Sequence, residues 1–164
     1  MNWKTIVLAC GVALLATACK STSGTDNQGA NGSGDGSGYG QYAPDALTNP
    51  NSPLSKRSVY FDFDSSAIRN EFRPLVQDHS NFLKAMPNRS VQIQGNTDAR
   101  GSREYNLGLG ERRGNAVSSA LQANGGSASQ ITVISYGEER PVCNESGESC
   151  WSQNRRVELV YSAK

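Results

Sequence analysis

Between Lys20 and Leu54 the chain holds almost no large aliphatic side chain, and this more than anything else limits where it can fold. Gly, Ser, Asn and Asp dominate the stretch, and seven of the 17 glycines fall between Gly24 and Gly40. Such a segment cannot bury enough apolar surface to offset the entropy of ordering it, so it is expected to be disordered. As a Gly/Ser-rich coil of about 35 residues its r.m.s. reach is about 30–35 Å. Any core must come from residues 56–164, where about 105 residues suffice for a single modest one.

The N-terminus reads as an address. Lys4 precedes an apolar stretch from Ile6 to Ala16, long enough for a signal segment and too short to span a bilayer. Leu15-Ala16-Thr17-Ala18-Cys19 resembles the lipobox of bacterial lipoproteins, with Ala16 where Leu is usual. That resemblance implies removal of residues 1–18 as a signal peptide and acylation of Cys19. The plain alternative is a signal peptide cut after Ala18 that leaves the cysteine unmodified. Lys20, standing where Asp would favour inner-membrane retention, points to the periplasmic leaflet of the outer membrane. The expected organisation is a signal peptide over 1–18, a lipidated Cys19 with a disordered tether over 19–55, and a folded domain over 56–164. With 16 Lys+Arg against 15 Asp+Glu the net charge is only +1, which gives no electrostatic support to nucleic-acid binding.

Within the folded part, Val59-Tyr60-Phe61-Asp62-Phe63 alternates as a strand, with Val59, Phe61 and Phe63 on one face. Phe72, Leu75, Val76, His79, Phe82, Leu83 and Met86 follow helical spacing, with Pro74 confined to the first turn and Pro87-Asn88 as the stop. Val91 and Ile93 mark a second strand. Ser102 caps a second helix whose expected buried face is Tyr105, Leu109, Ala116, Val117, Ala120 and Leu121. Residues 131–136 and then Val157, Leu159 and Tyr161 give two more strands. This order predicts an α+β, two-layer sandwich: βαβαβ-β, with both helices on one face of a mixed four-stranded sheet. Gly108, Gly110 and Gly114 each cost a helix interior about 1 kcal/mol relative to Ala, so the second helix either packs very closely there or is marginal.

Cys143 and Cys150 form an even pair in a chain that carries an export signal, and read as a loop-closing disulfide. Zinc is the alternative, with only the distant His79 and no second Cys pair to complete a ligand set. The densest polar cluster runs from Asn96 to Asn106, from the end of the second strand into the second helix. Exposed backbone N–H groups beside a positive helix terminus suit a carboxylate. Asn106, Leu109 and Arg113 continue along the same helix side, and Asp62 and Asp64 end the first strand. Carboxylates and guanidiniums around one groove suit a ligand that carries both an ammonium and a carboxylate.

The run NTDARGSREYNLGLGERR, Asn96 to Arg113, resembles the TDxxGxxxYNxxLxxxR signature of OmpA-like peptidoglycan-binding domains. VYFDFDSSAI before it and SYGEERPV and NRRVEL after it extend the resemblance over roughly residues 57–161. It implies that Asp98 meets the ammonium of meso-diaminopimelate in the peptidoglycan stem peptide and that Arg113 meets its carboxylate. It also implies that Thr97, Arg100, Asn106 and Leu109 line the groove, with Phe63 and Asp64 contributing from the first strand's end. Gly114 departs from the family's Ala and puts helix rigidity in question. The implied role is a wall-binding, outer-membrane lipoprotein of a Tol-type envelope system that supports envelope integrity and cell division. A TolB-like periplasmic β-propeller would compete for the groove. A wall anchor for a secretion or motility complex is the second reading of the same architecture.

An enzyme is the third class, and the residues speak against it. A glycan hydrolase needs two carboxylates at a defined separation, whereas Asp98 adjoins Arg100 and Arg113, which favour its ionised form. There is one His, no Ser–His or Cys–His arrangement, and no metal or cofactor is implied. Read alone, Asp98 is equally compatible with capping the turn after it, and Asp62 with the wet face of a strand. Arg112 is expected to be solvated or ion-paired, Arg155 and Arg156 to neutralise the sheet edge, and His79 and Tyr105 to pack in the core.

Overall fold

The alternating run around Val59 stays in a sheet only as far as Tyr60. In the computed structural model, which describes Tyr42 and residues 45–163, this short strand is β1 (Ser58–Tyr60). It is followed by α1 (Arg73–Ala85), β2 (Arg89–Asn96), α2 (Arg103–Ala123), β3 (Ile131–Gly137), α3 (Glu148–Asn154) and β4 (Arg156–Ala163). The expected signal peptide, the Cys19 acceptor and the tether as far as residue 41 lie outside the described residues.

The strands make one mixed sheet in the order β1-β4-β2-β3. β2 and β3 run parallel and are joined through α2, while β4 lies antiparallel between β1 and β2. Val76 and Leu83 of α1 and Val117 and Leu121 of α2 pack with Val59, Phe61, Val91, Ile93, Val157 and Leu159 in one core. This is the two-layer arrangement the strand and helix periods predict. Pro74 sits in the first turn of α1, where its missing N–H would be unpaired anyway, and the Ser102 hydroxyl caps α2 by accepting from the Tyr105 N–H at 3.2 Å. No helix among the described residues is long and apolar enough to cross a membrane.

The glycines of α2 reflect close packing. A Cβ on Gly95 of β2 would lie 2.0 Å from the Gly110 carbonyl oxygen, so helix and strand backbones touch there. A Cβ on Gly114 would come within 2.6 Å of Val133 Cγ1 on β3, so a side chain there would force Val133 to shift.

Four expectations need correction. Phe63 does not share the buried face of Val59 and Phe61: the chain turns at residues 62–64, Asp64 takes a left-handed φ of 53°, and Phe63 is 58% exposed. Tyr105 is not core but 45% exposed, because the inward face of α2 is set by Asn106, Gly110, Arg113 and Gly114. The tether is not featureless up to residue 55. Tyr42, Ala46, Leu47 and Leu54 form a second buried cluster with Phe82 of α1, and Arg57 Nη2 donates to the Leu47 carbonyl. A handful of apolar side chains is enough there because α1 already presents Phe82, Ala85 and Met86 to receive them. Finally, the loop expected after β3 contains α3, at whose base a disulfide joins Cys143 and Cys150 with their Cα atoms 5.3 Å apart.

Candidate functional site

Parallel strands end on the same side of a sheet, and here β2 and β3 finish beside the start of α2. A register shift places Asn96 opposite Gly137, and the Thr97 N–H donates to the Gly137 carbonyl at 2.8 Å. Asp98 Oδ1 then accepts from the Arg100 N–H at 3.1 Å, and Gly101 takes a φ of +109°, which suits glycine. This turn delivers the chain into α2 with the Asp98 carboxylate held by the Arg100 N–H.

The structure brings Phe63, Asp64, Thr97, Asp98, Arg100, Asn106, Leu109 and Arg113 together around a cavity of about 170 Å³, joined by Gly101 and Tyr105. These eight are the groove residues that the family resemblance implies; Asp62, also considered from the sequence, does not line the cavity. Asp64 accepts from the Tyr105 hydroxyl, and Asn106 Nδ2 donates to Glu138 at 2.6 Å. The Thr97 hydroxyl oxygen is buried without a hydrogen-bond partner among the described residues.

Asp98 is nearly buried, and its oxygens face two guanidiniums. Arg100 Nη2 donates to Oδ2 at 2.6 Å and Nε to Oδ1 at 3.3 Å, while Arg155 Nη1 donates to Oδ2 at 3.2 Å. Burial pushes the carboxyl's pKa up, but the hydrogen bonds from the Arg100 side chain and backbone and from Arg155 outweigh it and hold it below the usual range. Arg155 donates in addition to the Phe61 carbonyl at 3.0 Å and to Glu148.

Arg113 forms the floor. Its guanidinium is wholly buried, donating to three backbone carbonyls, from Nε to that of Ser65 at 2.8 Å, from Nη1 to that of Asn96 at 3.0 Å and from Nη2 to that of Asp62 at 3.1 Å, and lying 5.2 Å from the Phe61 ring centre. These three bonds tie the turn after β1 to the end of β2. Burial pushes its pKa down to about 10, opposed by the charges of Asp98 and Asp64, so it stays cationic at neutral pH. Three acceptors leave two of its five N–H groups for other partners.

Arg155 belongs to this site rather than to the sheet edge. Sequence reasoning missed it because 57 residues separate it from Asp98, and only the placement of β4 joins them. Trp151 and Glu148 of α3 were missed for the same reason. Arg156 is structural, donating to Glu158 and to the carbonyls of Asn154 and Arg140. Asp62 is exposed and pairs with Arg69 at 3.6 Å, and Arg112 lies over the Tyr105 ring. His79 is a packed histidine: its Nε2 donates to the Lys56 carbonyl and its Nδ1 accepts from the Tyr161 hydroxyl, each at 2.8 Å.

A family model for the OmpA family matches residues 60–155. Two relatives named peptidoglycan-associated lipoprotein match over nearly the whole chain. That of Legionella pneumophila is 40% identical, over 92% of this chain and 90% of its own length. That of Pseudomonas putida is 42% identical, over 90% and 93%. The chain belongs to the OmpA family, among the peptidoglycan-associated lipoproteins. A crystal structure of the peptidoglycan-associated lipoprotein from Burkholderia pseudomallei is 50% identical, with a TM-score of 0.70, and covers 71% of this chain and 98% of its own. The C-terminal domain of Helicobacter pylori MotB shares the fold at 21% identity, with a TM-score of 0.61 over 66% of this chain and 86% of its own.

Proposed function

We propose that this protein is an outer-membrane lipoprotein, acylated at Cys19, that holds the peptidoglycan stem peptide non-covalently through its diaminopimelate residue. The observation that carries this reading is the pairing of opposite charges around one small cavity. Asp98, kept ionised by its neighbours, sits beside the buried cation of Arg113, a complement to a group that bears an ammonium and a carboxylate a few bonds apart. Leu109, Phe63 and Tyr105 supply apolar wall for the methylene chain between the two ends of such a ligand.

Binding, not bond cleavage, is what these groups support. A carboxyl held below its usual range is ionised at neutral pH and has no proton to give as a general acid. Affinity at one site need only be modest, because a membrane-anchored domain facing a repetitive polymer binds at high effective concentration. The segment from residue 20 to the first packed residues would bridge membrane and wall. A Tol-type system, with a TolB-like β-propeller competing for the cavity, is the setting in which such a clamp would serve envelope integrity and division. The match to lipoprotein relatives over about nine-tenths of the chain supports this reading over an anchor for a secretion or motility complex.

The test is co-sedimentation of the detergent-purified full chain with diaminopimelate-type sacculi, beside Asp98→Asn. The wild type should pellet and the variant should stay largely in the supernatant, at least about tenfold weaker, as expected when one partner of a charge-assisted contact is lost. Equal pelleting of both would refute the site.

A further inference from the structure

The subsite that should receive a ligand's ammonium is already filled. Arg100, two residues after Asp98, folds back onto the same carboxylate that its own N–H caps. Its guanidinium lies 4.0 Å from the Phe63 ring centre and 4.1 Å from that of Trp151, a cation between two aromatic faces, with Nη2 a further 3.6 Å from Glu148.

Of the two cations on Asp98, only one is built to leave. The Arg155 side chain is 6% exposed and donates to the buried Phe61 carbonyl as well as to Glu148, so moving it would leave a buried guanidinium and a buried carbonyl without partners. The Arg100 side chain is 31% exposed, and beyond Asp98 it meets the Phe63 and Trp151 rings and the exposed Glu148 carboxylate at the rim, contacts that water can replace. From this asymmetry we infer that Arg100 is an internal stand-in for the ligand's ammonium, and that binding proceeds by exchanging its guanidinium for that ammonium on Asp98. The inference rests on the diaminopimelate reading above.

Two consequences follow from the charges. With Arg100 in place, the Asp98 carboxylate of the empty site keeps a second cation beside Arg155, which offsets more of the cost of its burial. Arg100 also sets a threshold. A simple amine gains only the contact that Arg100 gives up, whereas a group with ammonium and carboxylate gains the Arg113 end of the cavity as well. The latch weakens every ammonium ligand by the same factor, so a simple amine falls below useful affinity while the zwitterionic end of diaminopimelate, with the Arg113 contact in addition, stays bound. Trp151 lies in α3, just after the disulfide-bridged loop, and does not itself line the cavity, so it acts on ligand only through Arg100.

The test is the affinity of the detergent-solubilised full chain for a disaccharide tripeptide ending in meso-diaminopimelate, measured by titration calorimetry for wild type, Arg100→Ala and Asp98→Asn. Removing a part-exposed competitor should tighten binding about three- to tenfold in Arg100→Ala, by the same factor for the muropeptide and for cadaverine, a diamine without carboxylate. Binding that is unchanged or weaker in Arg100→Ala, while Asp98→Asn abolishes it, overturns the latch and leaves the site standing. Wild-type affinity in Asp98→Asn overturns the site reading itself. Should Arg100→Ala melt far below wild type, Trp151→Ala carries the same test, with tighter binding expected and unchanged or weaker binding overturning the latch.

Discussion

The contact between β2 and α2 makes a sharp prediction, because two glycines, Gly95 and Gly108, should respond to the same substitution with opposite signs. In Gly95→Ala the new methyl would stand 2.0 Å from the Gly110 carbonyl oxygen and 2.6 Å from its carbon, both backbone atoms that cannot rotate away. Restoring an ordinary separation of about 3.4 Å requires α2 to lift from the sheet by on the order of 1 Å, and a gap of that size forfeits a quarter to a half of the dispersion well. Leu109, Val117 and Leu121 all bury their side chains on the lifted face. Each is worth about 1.5–3 kcal/mol when fully buried, so a loss of about 3 kcal/mol is expected. In Gly108→Ala the methyl meets only Arg112 Nη1, the far end of a flexible side chain, at 3.3 Å. That substitution should stabilise by about 0.5–1 kcal/mol through helix propensity alone. Thermal unfolding by circular dichroism reads both: Tm should fall by about 10 °C for Gly95→Ala and rise by about 2–4 °C for Gly108→Ala. Shifts of the same sign, or a Gly95→Ala protein within 1 °C of wild type, would refute the packing argument.

Two further stability effects follow. His79 is buried and its pKa is lowered to about 4 from an ordinary 6.5, chiefly by burial, so the folded state prefers it neutral. Below pH 6.5 the unfolded chain takes up a proton that the folded chain refuses. Stability should therefore fall as pH drops from 6.5 to 4, by about 3 kcal/mol in total, and urea melts of His79→Gln should lack that part of the slope. Leu54, outside the domain boundary expected from the sequence, is wholly buried with Phe82, so Leu54→Ala should cost about 2–5 kcal/mol in the same melts, whereas a spacer residue would cost nothing measurable.

The periods of the chain specify its elements directly. The helical spacing from Phe72 to Met86, the Ser102 cap and the alternation of Val91 with Ile93 and of Val157 with Leu159 are local signals, set by neighbours two to four residues away, and the structure obeys them. The same locality places Asp98, Arg100, Asn106, Leu109 and Arg113 in one strand–turn–helix unit, and so most of the cavity can be read from Asn96 to Arg113 without knowing the sheet order.

What the tertiary structure decided is whatever depends on β4 lying between β1 and β2. That placement brings Arg155 to Asp98 and Trp151 to Arg100, pairs that no periodicity encodes because more than 50 residues separate each. It fixes Arg113 as a buried floor, tied to carbonyls of both the β1 turn and β2, a burial that its sequence position alone did not specify. Packing also gives the glycines of α2 their meaning and draws residues 45–55 out of the expected tether onto α1. The reason is the range of the forces involved: hydrogen-bonded turns and side-chain spacing act along the chain, while burial and charge pairing act through space and need the whole sheet in place first.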